Sequence, residues 1–325
     1  MDDEEVEVLG FKTRIMKIKI LVFLLISVVG FSQKKKINEE YDYIKNYYQF
    51  VYQAHYEYLN GNYKKAYDLL KTAEKNCPLL NQTGIYEPKI LAECAFKLGN
   101  KKEALKYVTI LIKDYGFTLN FFENDTILNQ IKKVKGWSKL EKKEPKFRKE
   151  YLSKVDFNLR KELNQMKIDD QSVRTNGYDE KKAKVIDSIN QLKLYRIVVD
   201  YDFFPEYSFN QVGNYNVDNY DPEVSVLVMH IRSNKADFWK PILLDLIRRG
   251  RAPARLYGGL SDSILRSNGV FDYGIYQNIG KDKINDFENL DKRRIAVGLP
   301  TLAYQNFVYQ YWQKEYEKYK KQNGN

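Results

Sequence analysis

At 325 residues, 43% of them hydrophobic, the chain is long enough for one large domain or two ordinary ones, which excludes a fragment too short to bury a core. Its 27 tyrosines outnumber the 17 phenylalanines and 3 tryptophans, so many half-buried rings whose hydroxyls need partners are expected between helices. The formal charge of +11 taken alone favours an anionic partner.

The N-terminus changes the setting in which that charge acts. Residues 1–15 are acidic and fit no targeting design, so they read as a non-native extension ahead of a start at Met16. Residues 16–32, MKIKILVFLLISVVGFS, have the three parts of a secretory signal: Lys17 and Lys19, an apolar middle, and Gly30 and Ser32 before a cut at Gln33. The apolar run is shorter than the roughly 20 residues a bilayer crossing needs, so no stable span is expected after cleavage. Removal of residues 1–32 takes away one more acidic than basic residue and leaves the chain basic. Export to the periplasm or the extracellular space makes nucleic acid an unexpected partner and an anionic envelope component, protein or peptide an expected one.

After a basic arm at Lys34–Lys36, helical periodicity runs from Tyr41 to Leu59, breaks at Asn60–Gly61–Asn62, and resumes from Tyr63 to Lys75. Ala54, the turn at Gly61, then Ala66, Leu70, Ala73 and Pro78 form one set. Leu91, Ala92, Gly99, Asn100, Ala104, Val108 and Leu111 repeat it without the closing proline. Small residues at these offsets let two helices cross closely, and the pattern resembles the tetratricopeptide repeat. The resemblance implies helical hairpins over residues 33–144, serving either as a protein-binding scaffold or as a prop for the rest of the chain. Two hairpins are fewer than a solenoid needs, and the apolar stripe Ile127, Leu128, Ile131, Val134, Trp137 and Leu140 is expected to cover the open end. Cys77 closes one helix and Cys94 lies well inside the next. The offset of roughly 12 Å exceeds a disulfide's reach, so two free buried thiols are expected. His55 has no metal-ligand companion and reads as a surface or interface histidine.

A second helical domain is assigned to residues 145–325, with Pro145 in the first turn of a helix towards Met166. Asp179 caps the next helix, on which Val185, Ile189, Leu192 and Ile197 are expected to point inward. Asn214, Asn216 and Asp218 alternate like calcium ligands, but Ser225 stands where the closing acidic ligand belongs, so turn chemistry is the reading. Glu223 to Arg232 reads as a buried helix with His230 turned inward, either a satisfied core histidine or a general base. Arg248, Arg249, Arg251 and Arg255 either stabilise a helix end or hold an anion. Gly258 and Gly259 imply close approach to a helix backbone. Asp262 is placed either to pair with Arg266 or to orient His230. Arg293 and Arg294 are salt-bridged supports or anion ligands.

Asp170, Gln171 and Arg174 in a D-Q-x-x-R arrangement, with Asp187, Asn190, Val212, Gly213, His230, Asp262, Tyr273, Gly274, Arg293, Arg294, Gly298 and Leu299, resemble an uncharacterised bacterial helical family known only as a domain of unknown function. The resemblance spans about Leu159 to Trp312. Ser263 and Phe271 depart from it at polar positions, and it implies a helical fold without supplying an activity.

These observations define an all-α chain, tetratricopeptide-like hairpins followed by a larger helical domain. The leading expectation is an exported interaction protein with no cofactor and no metal. The competing one is a hydrolase or transferase with His230 as base, Asp262 as its orienter, and Asp170, Arg174, Arg293 and Arg294 in an anion-binding cluster.

Overall fold

A computed structural model describes residues 41–323 apart from 124, 176, 206–210, 215–216, 219–223, 232 and 277–278. The signal-like segment, the basic arm, Asn216, Arg232 and Glu223, the first residue of the expected 223–232 helix, lie outside the described residues. The fold is all-α. Among the described residues the only extended pairing is an isolated parallel bridge between Phe271 and Ile284, and no helix is long and apolar enough to cross a membrane.

A one-turn helix, α1 (Tyr43–Asn46), leads into the first hairpin, α2 (Tyr48–Leu59) and α3 (Tyr63–Asn76). The second hairpin is α4 (Glu87–Lys97) and α5 (Lys101–Lys113). Both turn on a glycine in the left-handed region, Gly61 at φ +78° and Gly99 at φ +81°, which a side chain would strain. Ala54, Ala66, Ala73, Ala92 and Ala104 are fully buried where the helices cross, so the small residues serve the close packing that their spacing implied. Cys77 and Cys94 are free and buried, and burial raises both thiols, to about 11 and about 12.

A short helix, α6 (Leu128–Ile131), and α7 (Trp137–Leu152) cover the second hairpin with Leu128, Ile131, Trp137 and Leu140, all buried. Pro145 is not a helix start. It lies inside α7 on an exposed stretch, where the carbonyl that loses its amide partner can be hydrated.

Two long helices follow, α8 (Phe157–Thr175) and α9 (Glu180–Tyr201), the latter capped by the Asp179 carboxylate on the Lys182 amide. The inward face of α9 also differs from expectation. Val185, Ile189 and Leu192 are exposed, whereas Ala183, Asp187, Asn190, Leu194, Ile197 and Val198 are buried. Periodicity selects the most apolar stripe, but α9 buries a stripe containing two polar residues that find partners inside. The remaining helices are α10 (Ser225–Met229), α11 (Ser233–Arg248), α12 (Arg255–Leu265), α13 (Leu290–Ala296) and α14 (Leu302–Asn323).

Tyrosines tie the first hairpin to the later helices. The Tyr48 hydroxyl donates to the Ile247 carbonyl at 3.1 Å and that of Tyr52 to the Gly298 carbonyl at 3.0 Å. A Cβ at Gly298, φ +83°, would lie 2.9 Å from Tyr48, so glycine meets both a backbone and a packing demand there. α14 lies on α2: Tyr304 packs on Tyr52 and His55, and Phe307 on Tyr56 at 4.5 Å between ring centres. His55 is buried, its Nδ1 2.6 Å from the Tyr304 hydroxyl, and burial lowers its pKa to about 4.

Candidate functional site

Three helices bring polar side chains together at one place. On α8, Asp170 and Arg174 are one turn apart, so both project towards α9 and α10. On α9, Asp187 lies on the buried face. His230 follows the last residue of α10, where the helix ends instead of continuing to residue 232, and its side chain is 25% exposed.

Asp170 is the hub. Its Oδ1 lies 2.8 Å from His230 Nδ1 and accepts from Arg174 Nη1 at 3.2 Å, while its Oδ2 accepts from Gln171 Nε2 at 2.6 Å. Arg174 Nη2 donates to Asp187 Oδ1 at 2.5 Å, so one guanidinium spans two carboxylates. Asn190 steadies the α8–α9 contact through a 3.1 Å bond to the Met166 carbonyl. Both aspartates are buried, and a buried carboxylate is tolerable only when its lone pairs are matched as they are here.

The sequence-derived partner of His230 is therefore corrected. Asp262 is fully buried in α12, but its Oδ1 accepts from the Asp272 and Tyr273 amides at 2.9 Å and its Oδ2 from the Ile275 amide at 2.8 Å. Burial raises its pKa, against the pull of those three amides. Asp262 fastens a loop and Asp170 holds the histidine.

Arg293 and Arg294 join Asp262 rather than His230. Arg294 donates to the carbonyls of Tyr273 and Pro300 and to Gln305 Oε1, whose amide nitrogen returns to the Gly274 carbonyl at 3.0 Å. Arg293 binds the Asp286 carboxylate at 3.0 Å and the Asn285 carbonyl. With these donors on protein oxygens, both arginines act as supports. A cavity of about 290 Å³ lined by Gly274, Tyr276, Leu302, Gln305 and Tyr309 lies beside this network, and neither Asp170 nor His230 lines it.

Other sequence candidates have structural partners. Arg249 is held by Asp202 and Asp245, and Asp218 by Arg160. Arg160 also binds the Asn214 carbonyl, so this loop is organised by a buried arginine. A Cβ at Gly258 would lie 2.7 Å from Ile275 and one at Gly259 3.1 Å from Met229, so side chains are what approach that backbone.

Asp170, Asp187 and His230 offer one ligand atom each within 4.8 Å of one another, a donor set of the kind divalent cations use. Arg174, bonded to both carboxylates, already brings positive charge there, and an ion would have to compete with it. Sequence reasoning missed the pairing of Arg174 with Asp187 and of His230 with Asp170. The i, i+4 spacing of Asp170 and Arg174 was visible, but nothing local links residues sixty positions apart.

Comparison with known proteins found no matching family model, no matching curated protein and no matching solved structure.

Proposed function

We propose that the chain is an exported hydrolase or group transferase whose general base is His230. The observation that carries this reading is the 2.8 Å contact between His230 Nδ1 and the buried Asp170 carboxylate. A carboxylate only accepts, so Nδ1 carries a proton, and in the neutral ring Nε2 keeps its lone pair. No partner for Nε2 is seen among the described residues, and the half-buried imidazole can take a proton from water or a substrate hydroxyl through that atom. Asp170 fixes the ring and stabilises the imidazolium formed, as the third member of an acid–base relay does. Arg174, held between Asp170 and Asp187, adds a fixed positive charge beside the reacting group.

An interaction role through the first hairpin has less support. Tyr52, His55 and Tyr56 on α2 are covered by Tyr304 and Phe307 of α14, so that face is used within the chain.

The test is turnover of chromogenic carboxylic esters, phosphomonoesters, phosphodiesters and glycosides by the full chain and by His230→Gln. Release that falls at least ~100-fold in the variant, with unchanged circular dichroism, supports the reading. Release that is absent throughout the panel, or equal in the two proteins, contradicts it.

A further inference from the structure

The outward face of α7 is a row of lysines. Lys139, Lys142, Lys143, Lys146 and Lys149 are all exposed. At 100° per residue they fall within an arc of about 120° and run about 15 Å along the helix. The row lies away from Trp137, Leu140 and Tyr151, the buried side of α7. Two of the helix's three glutamates are turned from it: Glu141 accepts from Trp137 Nε1, and Glu144, seven residues from Trp137, shares the inward side. Glu150 enters the arc at its far end and meets Lys146 at 3.7 Å, in an exposed and weak pair. Among the described residues no carboxylate meets Lys139, Lys142, Lys143 or Lys149.

Such a row works against the isolated helix. Lys139 and Lys143, and Lys142 and Lys146, are like charges one turn apart, a spacing at which they repel. Lys139 also stands near the helix start, where the dipole favours acidic residues, and the first turn of α7 has none. Glutamate forms helices about as well as lysine, so propensity does not select the row. An anionic surface laid against it relieves both penalties.

The chemistry of the row narrows the partner. Each of its cations is a lysine, a compact point charge, whereas the one arginine of α7, Arg148, donates to the Gly116 carbonyl and lies over the Tyr151 ring. No large apolar side chain of α7 is exposed, so the face lacks both the apolar centre of a protein interface and the rings on which single-stranded nucleic acid stacks. A straight line of point charges on a convex helix fits a flat layer of anionic headgroups. We propose that the lysine face of α7 docks the chain on an anionic phospholipid membrane surface. Contact stays at headgroup depth, because the face has no apolar side chain to insert. The proposal rests neither on catalysis by His230 nor on export.

Co-sedimentation of the full chain with vesicles tests it, using phosphatidylcholine alone and phosphatidylcholine with phosphatidylglycerol. Any insertion of the apolar run at 18–31 is common to every variant, so comparison of variants reads the charge on α7. The wild-type chain is expected to prefer the anionic vesicles and to lose that preference near 1 M salt, where the Debye length is about 3 Å. Lys139→Gln, Lys142→Gln, Lys143→Gln and Lys146→Gln combined are expected to weaken binding to anionic vesicles at least ~50-fold, while Lys→Arg at the same four positions keeps it. Lys→Gln at four exposed lysines elsewhere, Lys235, Lys281, Lys292 and Lys314, is expected to weaken it less than ~5-fold. A wild-type chain with no preference for anionic vesicles overturns the proposal. So does an equal loss in the two glutamine sets, which would assign the effect to net charge. Tighter binding to duplex DNA than to anionic vesicles at the same salt also overturns it, and would assign the row to nucleic acid.

Discussion

Asp170 Oδ1 accepts from both His230 Nδ1 and Arg174 Nη1, so one oxygen of a buried carboxylate fixes a base and a cation at the same place. The arrangement needs α8 to present two residues one turn apart and α10 to end at Met229, leaving the following imidazole free of helical geometry. Removing the carboxylate charge by Asp170→Asn leaves Arg174 bound to Asp187 and takes away the histidine's fixed partner. Turnover is expected to fall ~100-fold or more, with substrate binding much less affected, because the lost interaction strengthens as the imidazolium forms. Steady-state kinetics separate the two effects, and a change in KM alone would assign Asp170 to binding.

Asp262 has a stability role. Its carboxylate receives three backbone amides from the Asp272–Ile275 loop while Arg294 grips carbonyls of the same loop. Asp262→Ala strands those amides and is expected to cost about 3 kcal/mol in urea unfolding, within the range for buried, charge-assisted bonds. A cost below about 1 kcal/mol would mean that Arg294 alone holds the loop.

The contrast between these two aspartates shows what the sequence could reveal. Hairpins were legible because Ala54, Ala66, Ala92 and Ala104 recur at crossing points and Gly61 and Gly99 mark turns, all local signals. Asp170 and Arg174 entered the sequence reading through the D-Q-x-x-R resemblance, and their one-turn spacing places both on one face of α8. The choice between Asp170 and Asp262 as partner of His230 depends on the end of α10 and on amides from a loop beyond α12, neither of which has a local pattern. α9 misled because its more apolar stripe faces outward, and only the partners of Asp187 and Asn190 reveal which face is buried.

His55 gives stability a pH dependence. Burial lowers its pKa from 6.5 to about 4, so between those values the unfolded chain binds a proton that the folded chain does not. Its contribution is whole above pH 6.5 and is lost as pH falls towards 4, by about 3 kcal/mol in all. The difference in unfolding free energy between wild type and His55→Gln should shrink by that amount from pH 7 to pH 4. A pH-independent difference would show that His55 is hydrated or protonated in the folded chain.

Gly298 joins α13 to the first hairpin. Gly298→Ala combines a left-handed backbone with a contact of 2.9 Å to Tyr48, and a loss of about 2 kcal/mol or more is expected by chemical denaturation. Restoration by Tyr48→Leu in the same chain would assign the larger share to the contact, and no restoration would assign it to the backbone.

The most direct test of the site needs no substrate. The chain has two histidines, so the ¹⁵N resonances of His230 can be assigned by comparison with His55→Gln. In the alkaline spectrum the neutral His230 ring is expected to carry its proton on Nδ1, held by Asp170, with Nε2 bare, and to lose that preference in Asp170→Asn but keep it in Asp262→Asn. A wild-type ring protonated on Nε2, or a tautomer that responds to Asp262 instead, would contradict the assignment of His230 and Asp170 as base and orienter.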